Sequence, residues 1–410
     1  MIEIAKCRLC GNTEFAEIID LGEQYLTGVF PKSHEGAEVP CGPLKLVICS
    51  SATGCGLVQL ANSFNPTEMY GDNYGYRSGL NQSMVRHLSF RVDQLRAKVA
   101  DISNPVIVDI GSNDGTTLAQ WSDNCTRIGV DPTAERFGHY YPKDSIKVAT
   151  FFNAEAVLVA SHGRLANIVT AFSMMYDLED PVSFIADVAR ILSPNGVFAF
   201  EQSYLPLMLQ RFAFDTICHE HLEYYAMRQI DWILNSAGLE AVDVELNDIN
   251  GGSFAVTAAH AGSQTISNRV FELRNNERHF WEASGEHFAA FCEGTRASLE
   301  ALRRFIALER SSGRTVAALG ASTKGNVLLQ AAGLGPSEIA EIGDVNHDKH
   351  GCFTPGTGIP IVPEEEVLKK GYDYYIVLPW HFREFFLASQ SFRGRNLVFP
   401  LPKFEIVRAT

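Results

Sequence analysis

The densest cluster of titratable side chains in this sequence spans residues 214–225 and reads Phe-Asp-Thr-Ile-Cys-His-Glu-His-Leu-Glu-Tyr-Tyr. His219 and His221 are too closely spaced for the H-E-x-x-H pattern that places two histidines on one helical face to bind a metal. Because a histidine has an ordinary pKa of about 6.5, one of them could act as a general base near neutral pH and abstract a proton α to a carbonyl. A neighbouring carboxylate would then hold the imidazole in the required tautomer and stabilise its charged form. A hydrogen-bonded histidine pair that only fixes a loop is equally compatible with the sequence.

A second cluster surrounds a glycine turn at residues 106–115, Val-Ile-Val-Asp-Ile-Gly-Ser-Asn-Asp-Gly, which follows a predicted buried strand and precedes a predicted helix. Glycine at such a turn lets the backbone approach a ligand, and Asp131 at the end of the next strand could accept both hydroxyls of a ribose. The spacing is neither the G-x-G-x-x-G of a dinucleotide site nor a Walker P-loop. It fits the turn by which class I methyltransferases hold S-adenosylmethionine, and a purely structural turn is the alternative. The predicted cofactor contacts are Asp109, Gly111, Asn113, Asp114, Gly115, Asp131 and Phe172.

The first 55 residues contain five of the nine cysteines. Cys7 and Cys10 form a C-x2-C pair followed by glycine, and Cys49 and Cys55 form a wider pair that also ends at a glycine. Four thiolates at two such turns predict a closed tetrahedral zinc site, which has a structural role because no coordination position is open. Reduced, unliganded cysteines are the alternative, and disulfides are the poorer explanation for a chain that opens without an export signal.

The strands and helices that must position these clusters form two α/β patterns. Predicted strands at 106–110, 127–130, 167–172, 197–201, 241–246 and 253–259 alternate with helices, which predicts a mostly parallel sheet that ends in two strands with a short connection. A helical segment at 264–310 precedes a second set of strands at 315–319, 341–344, 374–378 and 396–399. We therefore predict three domains, at residues 1–67, 68–262 and 263–410.

Composition restricts the partners of the chain. Its 410 residues are 46% hydrophobic and 20% charged, and 34 basic against 48 acidic side chains give a net charge of −14. Such a balance argues against nucleic acid as a partner, because that affinity rests on many phosphate contacts. Without an apolar run of about 18 residues or a leader we expect no membrane association and a cytoplasmic location. We expect a monomer or a small homo-oligomer.

Taken together, these motifs resemble the sugar C-methyltransferase family. The resemblance spans nearly the whole chain and rests on these segments: Cys7-Arg-Leu-Cys10-Gly, Asp20-Leu-Gly, Cys55-Gly-Leu-Val-Gln, Tyr74-Gly-Tyr76-Arg-Ser, residues 109–115, residues 218–225, Gly251-Gly-Ser, and Gly320-Ala-Ser-Thr-Lys324-Gly-Asn326. It implies an α/β fold with a small N-terminal zinc-binding domain, a central class I methyltransferase (Rossmann-like) domain and a second Rossmann-like domain at the C-terminus. The family methylates nucleotide-activated keto-deoxysugars, typically at C3 beside a C4 ketone.

The resemblance also implies roles for single residues. His221 corresponds to the base and Glu220 to its neighbouring carboxylate, while Tyr76, or less favourably Tyr74, belongs to an aromatic loop that either covers the substrate or packs on a neighbouring domain. Cys218 stands where some relatives have an active-site tyrosine. Substrate contacts are expected from Tyr74, Arg77, His219, Tyr224, Asn250, Lys324, Asn326, Trp380 and His381.

Two of these positions keep an alternative from the residues alone. The turn at Gly320 precedes an apolar helix, so its amides and Lys324 could bind a diphosphate, or the turn could be structural. Asn250 belongs either to a hairpin turn or to a flexible floor under the sugar.

The expected function is therefore S-adenosylmethionine-dependent C-methylation of a nucleoside-diphosphate 4-keto-deoxysugar through an enolate. The alternative enzyme uses the same deprotonation to epimerise, eliminate or close a carbocycle without net methyl transfer. A non-catalytic zinc protein that binds nucleic acid or other proteins is a third hypothesis. It predicts clustered basic residues near the cysteines, yet residues 1–60 contain only Lys6, Arg8, Lys32 and Lys45.

Overall fold

The computed structural model describes residues 1–33, 39–50, 53–64 and 77–410. Tyr74 and Tyr76 lie outside these residues. The N-terminal part contains the strands β1 (Ile2–Glu3), β2 (Phe15–Tyr25), β3 (Cys41–Cys49), β4 (Val58–Leu60) and β5 (Asn62–Ser63). β2, β3 and β4 form an antiparallel sheet whose outer strand beside β4, Glu223–Tyr224, comes from the central part of the chain. Residues just beyond the histidine cluster therefore belong to the sheet of the N-terminal part.

The central part is built on one seven-stranded sheet with flanking helices. Its strands are β6 (Val106–Ile110), β7 (Thr126–Val130), β8 (Ile146–Val148), β9 (Ala166–Phe172), β10 (Leu192–Ser203), β12 (Leu239–Asn247) and β13 (Ser253–His260), with Glu223–Tyr224 counted as β11. Its helices are α1 (Gln82–Arg96), α2 (Ala154–Ala160), α3 (Pro181–Ile191), α4 (Leu205–Gln210) and α5 (Met227–Ser236). The sheet order is β12-β13-β10-β9-β6-β7-β8, and β13 is antiparallel to both of its neighbours.

Local sequence explains where these helices begin. The side chain of Asn81 accepts hydrogen bonds from the amides of Ser83 and Met84 and so caps α1. Asp180 caps α3 in the same way, immediately before a proline at the first helical position. The apolar side of α1 is buried at Leu88 and Val92, as the spacing of its apolar residues predicts.

The C-terminal part contains the helices α6 (Asn268–Glu282), α7 (Ser284–Ser311), α8 (Thr323–Ala332), α9 (Glu364–Lys370) and α10 (Arg383–Ala388). Its strands are β14 (Val316–Leu319), β15 (Ile342–Asp344), β16 (Ile361–Pro363), β17 (Tyr374–Val377), β18 (Asn396–Phe399) and β19 (Glu405–Arg408). They form a sheet in the order β16-β15-β14-β17-β18-β19, parallel except for β19. None of the helices in the described part of the chain is both long enough and apolar enough to cross a membrane.

The predicted α/β fold class is confirmed, with differences in detail. The expected helix after the glycine turn is only a single 3-10 turn, Leu118–Gln120. The prediction also missed the short strands β8, β16 and β19. β8 and β19 alternate between half-buried and exposed residues, and β16 has one buried and two half-buried residues, so none gives a long apolar run. The three domain boundaries stay a prediction.

One hydrophobic cluster joins all three parts of the chain. It contains Leu44 of β3, Phe214 and Ile217 of the segment before the histidines, and Ile376 of β17. The segment that carries the predicted base therefore lies at the junction of the N-terminal, central and C-terminal parts.

Candidate active site

The central sheet reverses its strand order between β6 and β9, since β7 and β8 follow on one side and β10 on the other. In parallel α/β sheets, ligands bind at the carboxyl ends of the strands beside such a reversal. The glycine turn follows β6, Asp131 follows β7, and Ser173 follows β9. The topology thus brings the predicted cofactor residues to one edge.

The glycine turn has a backbone that only glycine adopts easily. Gly111 and Gly115 have φ angles of +68° and +74°. A Cβ at Gly115 would lie 2.9 Å from Cγ of Tyr141, whose hydroxyl donates to the carbonyl of Asn113. The turn is therefore held rigidly against Tyr141, with its open side toward the sheet edge.

Two carboxylates organise this turn. Asp131 accepts hydrogen bonds from the amide of Asn113 at 2.9 Å and from the amide and hydroxyl of Thr133 at 2.7 and 2.6 Å, yet remains partly exposed. Asp109 is buried in β6 and accepts from the hydroxyl of Thr170, and burial raises the pKa of Asp109 to about 7. A glycine turn lets the backbone approach an adenosine ligand, and an oriented carboxylate at the end of the next strand can accept hydrogen bonds from its ribose hydroxyls.

Residues 77–80 lie across the glycine turn. The amide of Ser78 donates to Oδ1 of Asn113, and the amide of Gly79 donates to Oδ2 of Asp114, each at 3.0 Å. The guanidinium of Arg77 approaches Asp114 at 3.6 Å and stacks on the ring of Tyr140. Arg77, predicted at the substrate, is thus placed on the cofactor turn.

Phe172 lies at the end of β9 and lines a cavity of about 410 Å³ together with Arg91 and Glu245. That cavity is bounded by α1 and by β10, β12 and β13. Phe172 therefore lies at the predicted cofactor edge of the sheet. The cavity that it lines does not include residues of the glycine turn.

His221 has the geometry of a general base. Its Nδ1 lies 2.9 Å from the carbonyl of Thr216, and because a carbonyl only accepts, Nδ1 carries the proton and Nε2 has the free lone pair. The half-buried ring packs on Tyr176, which follows β9, at a centroid distance of 4.2 Å and an interplanar angle of 54°. Burial, and secondly the charge of Lys324, lowers the pKa of His221 to about 3, so the imidazole is neutral at physiological pH.

Glu220 does not hold this imidazole as predicted, since the carbonyl of Thr216 takes that position. The buried carboxyl of Glu220 instead accepts a hydrogen bond from the hydroxyl of Thr27 in the N-terminal part at 3.3 Å. Gly28 makes room for it, because a Cβ there would lie 2.3 Å from Oε1 of Glu220. Burial raises the pKa of Glu220 and of the adjacent Cys218 thiol.

The other predicted residues of this segment face the protein interior. His219 is fully buried, its ring edge packs on Phe64 at 4.5 Å, and Nε2 lies 3.4 Å from the carbonyl of Gly42. Burial lowers the pKa of His219 to about 4. Tyr224 is also buried and donates to the carbonyl of Thr216. Both side chains hold the segment and have no exposed surface for a substrate.

Lys324, Asn250 and Trp380 meet where the C-terminal part touches the turn between β12 and β13. Nζ of Lys324 donates to the backbone carbonyl of Asn250 at 2.6 Å. The side-chain amide of Asn250 donates to the hydroxyl of Ser173 at the carboxyl end of β9. The indole of Trp380 donates to the buried Asp215 at 2.8 Å. Burial lowers the pKa of the neighbouring His381.

Ser322 caps α8 directly after the glycine turn of the C-terminal part. The amide of Gly325 donates to the hydroxyl of Ser322, and the amide of Asn326 donates to the carbonyl of Ser322. The fully buried side chain of Asn326 donates to the carbonyl of Thr27 at 2.7 Å. Asn326 therefore fixes the N-terminal part, which conflicts with its predicted contact with the substrate.

The four predicted zinc ligands come together. The sulfurs of Cys7, Cys10, Cys49 and Cys55 all lie within 4.8 Å of one another, and the Cys7–Cys55 and Cys10–Cys49 pairs are each 3.6 Å apart. Zn–S bonds of about 2.3 Å in a tetrahedron require about 3.8 Å between sulfurs, so the four thiolates fit zinc. The amide of Gln59 donates to the sulfur of Cys7 at 3.1 Å.

The sequence did not reveal Thr27, Gly28, Tyr176 and Asp215 as members of the site. The only indication was that Asp215 lies in the same dense cluster as the histidines. Thr27 and Gly28 are separated from Glu220 by more than 190 residues, and no local pattern marks such a contact.

The reversed strand order, the antiparallel β13 and the glycine turn together define a methyltransferase of the class that uses S-adenosylmethionine. Three family models match consecutive segments: a zinc-binding domain at residues 7–70, a methyltransferase domain at 84–244, and a C-methyltransferase C-terminal domain at 248–402. C-methyltransferase NovU from Streptomyces niveus is 30% identical over 99% of this chain and 97% of its own length. The chain belongs to this family of zinc-containing C-methyltransferases, and its cofactors are S-adenosylmethionine and zinc.

Two solved methyltransferases are similar to part of the chain at low sequence identity. Magnesium protoporphyrin IX methyltransferase from Synechocystis is 13% identical, covers 47% of this chain and 91% of its own, and has a TM-score of 0.35. CcbJ from Streptomyces caelestis is 13% identical, covers 43% and 90%, and has a TM-score of 0.33. The family assignment therefore rests on the full-length relative.

Proposed function

We propose that this C-methyltransferase acts on a nucleoside-diphosphate 4-keto-deoxysugar, at the carbon next to the ketone. The observation that carries the proposal is the placement of His221. Its Nδ1–H is fixed by the carbonyl of Thr216, and its unprotonated Nε2 belongs to a half-buried ring at the carboxyl edge of the central sheet. A neutral imidazole in that position can remove a proton from carbon, and a C–H beside a carbonyl is the kind acidic enough for this.

S-adenosylmethionine, held by the turn at 111–115 and Asp131, supplies an electrophilic methyl group on a sulfonium. The chain itself orients the acceptor and moves one proton. His221 takes the proton onto Nε2, and the hydrogen bond from Nδ1 to Thr216 strengthens as the ring becomes charged. Asn250, Lys324 and Trp380, at the junction of the parts, surround the substrate.

Incubation with methyl-labelled cofactor and a panel of 4-keto-deoxysugar nucleotides tests the proposal. Label should enter a carbon-bound methyl group of one substrate, and His221→Ala should abolish this while retaining cofactor binding. A product with an unchanged carbon count would instead favour epimerisation or elimination through the same enolate. Label on oxygen or nitrogen would refute both.

A further inference from the structure

Lys324 has a half-buried ammonium group at the candidate active site. Its hydrogen-bond acceptor is the carbonyl of Asn250, at 2.6 Å, rather than a carboxylate. Taking a cation out of water is costly unless an opposite charge lies nearby. The nearest compensation is Asp215, which is 1% exposed, and whose Oδ1 is buried with no hydrogen-bond partner in the described chain.

Contacts on two sides bring together the segments that carry Lys324 and His221. On one side, Asp215 binds the indole of Trp380, while the next residue, Thr216, holds Nδ1 of His221. On the other side, Glu220 and Thr323, which precede His221 and Lys324 in sequence, both lie within 4 Å of where a Cβ of Gly28 would be. The charge of Lys324 is near enough to contribute to the lowered pKa of His221.

The same contacts argue against a diphosphate site at this lysine. The lysine side chain turns toward the β12–β13 turn, where Nζ meets the carbonyl of Asn250. A phosphate at a helix N-terminus is held by free amides of the first turn, and here the amides of Gly325 and Asn326 are bonded to Ser322. Nζ of Lys324 instead lies on the side of Ser173, at the carboxyl end of β9, through their shared contact with Asn250.

We propose that Lys324 stabilises the enolate oxygen. The inference rests on the proposed function. When His221 takes the proton from the carbon next to the ketone, the C–H electron pair forms the C=C bond and the C=O π pair moves onto oxygen. The ammonium of Lys324 donates a hydrogen bond to that oxygen, and the charge it already carries requires no reorganisation during the step.

Exchange of the substrate C3 hydrogen in D2O, followed by NMR with S-adenosylhomocysteine in place of the methyl donor, isolates this step. Lys324→Met should lower the exchange rate and the methylation kcat about 100- to 1000-fold, as expected for a lost oxyanion donor, and change KM less than threefold. The acid limb of the pH–rate profile should move to higher pH, because a charge that depresses the pKa of His221 is gone. The matched control is Lys349→Met, whose ammonium likewise binds a backbone carbonyl, that of Ala321 at 2.7 Å, and which should keep kcat within threefold.

Lys324→Met leaves the buried Asp215 without its opposite charge and is expected to melt lower than wild type, so exchange is measured at a temperature where circular dichroism shows the variant to be folded. A raised KM with unchanged kcat would show that Lys324 binds phosphate, and unchanged exchange would equally overturn the inference. If the wild-type enzyme showed neither exchange nor methylation with any keto-sugar nucleotide, the proposed function would fail and the inference with it. If the wild-type enzyme is active and Lys324→Met is equally active, the inference about Lys324 fails and the proposed function stands.

Discussion

Replacing His219 by leucine should have opposite effects on stability at pH 8 and pH 5. His219 is fully buried, and burial lowers its pKa from 6.5 to about 4. His219 is therefore protonated below about pH 6.5 in the unfolded chain but only below about pH 4 in the folded protein. The free energy of unfolding decreases as the pH falls through this window. At pH 5 this term removes about 2 kcal/mol from the folded protein, and at pH 8 it is close to zero.

Leucine has a similar volume and cannot be protonated. It keeps apolar packing against Phe64 and loses the hydrogen bond to the carbonyl of Gly42, worth about 1 kcal/mol. His219→Leu should thus be about 1 kcal/mol less stable than wild type at pH 8 and about 1 kcal/mol more stable at pH 5. Urea unfolding at both pH values, followed by tryptophan fluorescence, measures this. The surface variant His279→Leu should change the unfolding free energy by less than about 0.5 kcal/mol at either pH.

The same pair of histidines gives the matching test of function. Folded His219→Leu should retain exchange of the substrate C3 hydrogen at pH 8. His221→Ala should lower the rate of this exchange about 100- to 10,000-fold. An equal free-energy change for His219→Leu at pH 8 and pH 5 would refute the burial argument. Loss of exchange in a folded His219→Leu would refute the assignment of the base.

Other residues give three further tests. Cys10→Ser should reduce the bound zinc measured by mass spectrometry after mild chelation, and lower the unfolding midpoint, because zinc binding supplies folding free energy. Gly115→Ala should destabilise by about 2–4 kcal/mol and weaken cofactor binding by calorimetry, since its Cβ would meet Tyr141 at 2.9 Å in a left-handed backbone. Gly163→Ala, with a φ of +76° and no atom within 4 Å of its Cβ, should show only the backbone strain of about 1–2 kcal/mol. Asp131→Ala should raise the cofactor Kd at least about tenfold, and an unchanged Kd would contradict the ribose assignment.

The strands that carry the site could be predicted because they are long apolar runs. β6 has five consecutive buried residues, and β9 and β10 behave similarly. β8 and β16 have three residues each and expose part of them, so their pattern does not differ from that of a loop. Edge strands of this kind are fixed by pairing with a neighbour, which the sequence does not encode locally.

The roles within the histidine cluster needed the structure for a different reason. Residues 214–222 form neither a continuous helix nor a strand, with one 3-10 turn at Phe214–Thr216, so no periodicity determines which side chain faces the cleft. His219 and His221 are chemically identical in sequence, and only the partners differ: Phe64 for one and Tyr176 for the other. Glu220 precedes His221 in sequence, yet its carboxyl accepts a hydrogen bond from Thr27, which no local pattern marks.

The contacts around the base also explain why a zinc site accompanies methyl transfer. A zinc ligand, Cys7, accepts a hydrogen bond from Gln59, and Gln59 pairs in the N-terminal sheet with Glu223, two residues after His221. Thr27 of the same N-terminal part holds Glu220, the residue before the base. Because the loop with the base has no regular structure of its own, its position depends on these attachments. Loss of zinc should therefore reduce enolisation even in molecules whose central sheet stays folded, although the metal touches neither the cofactor turn nor His221.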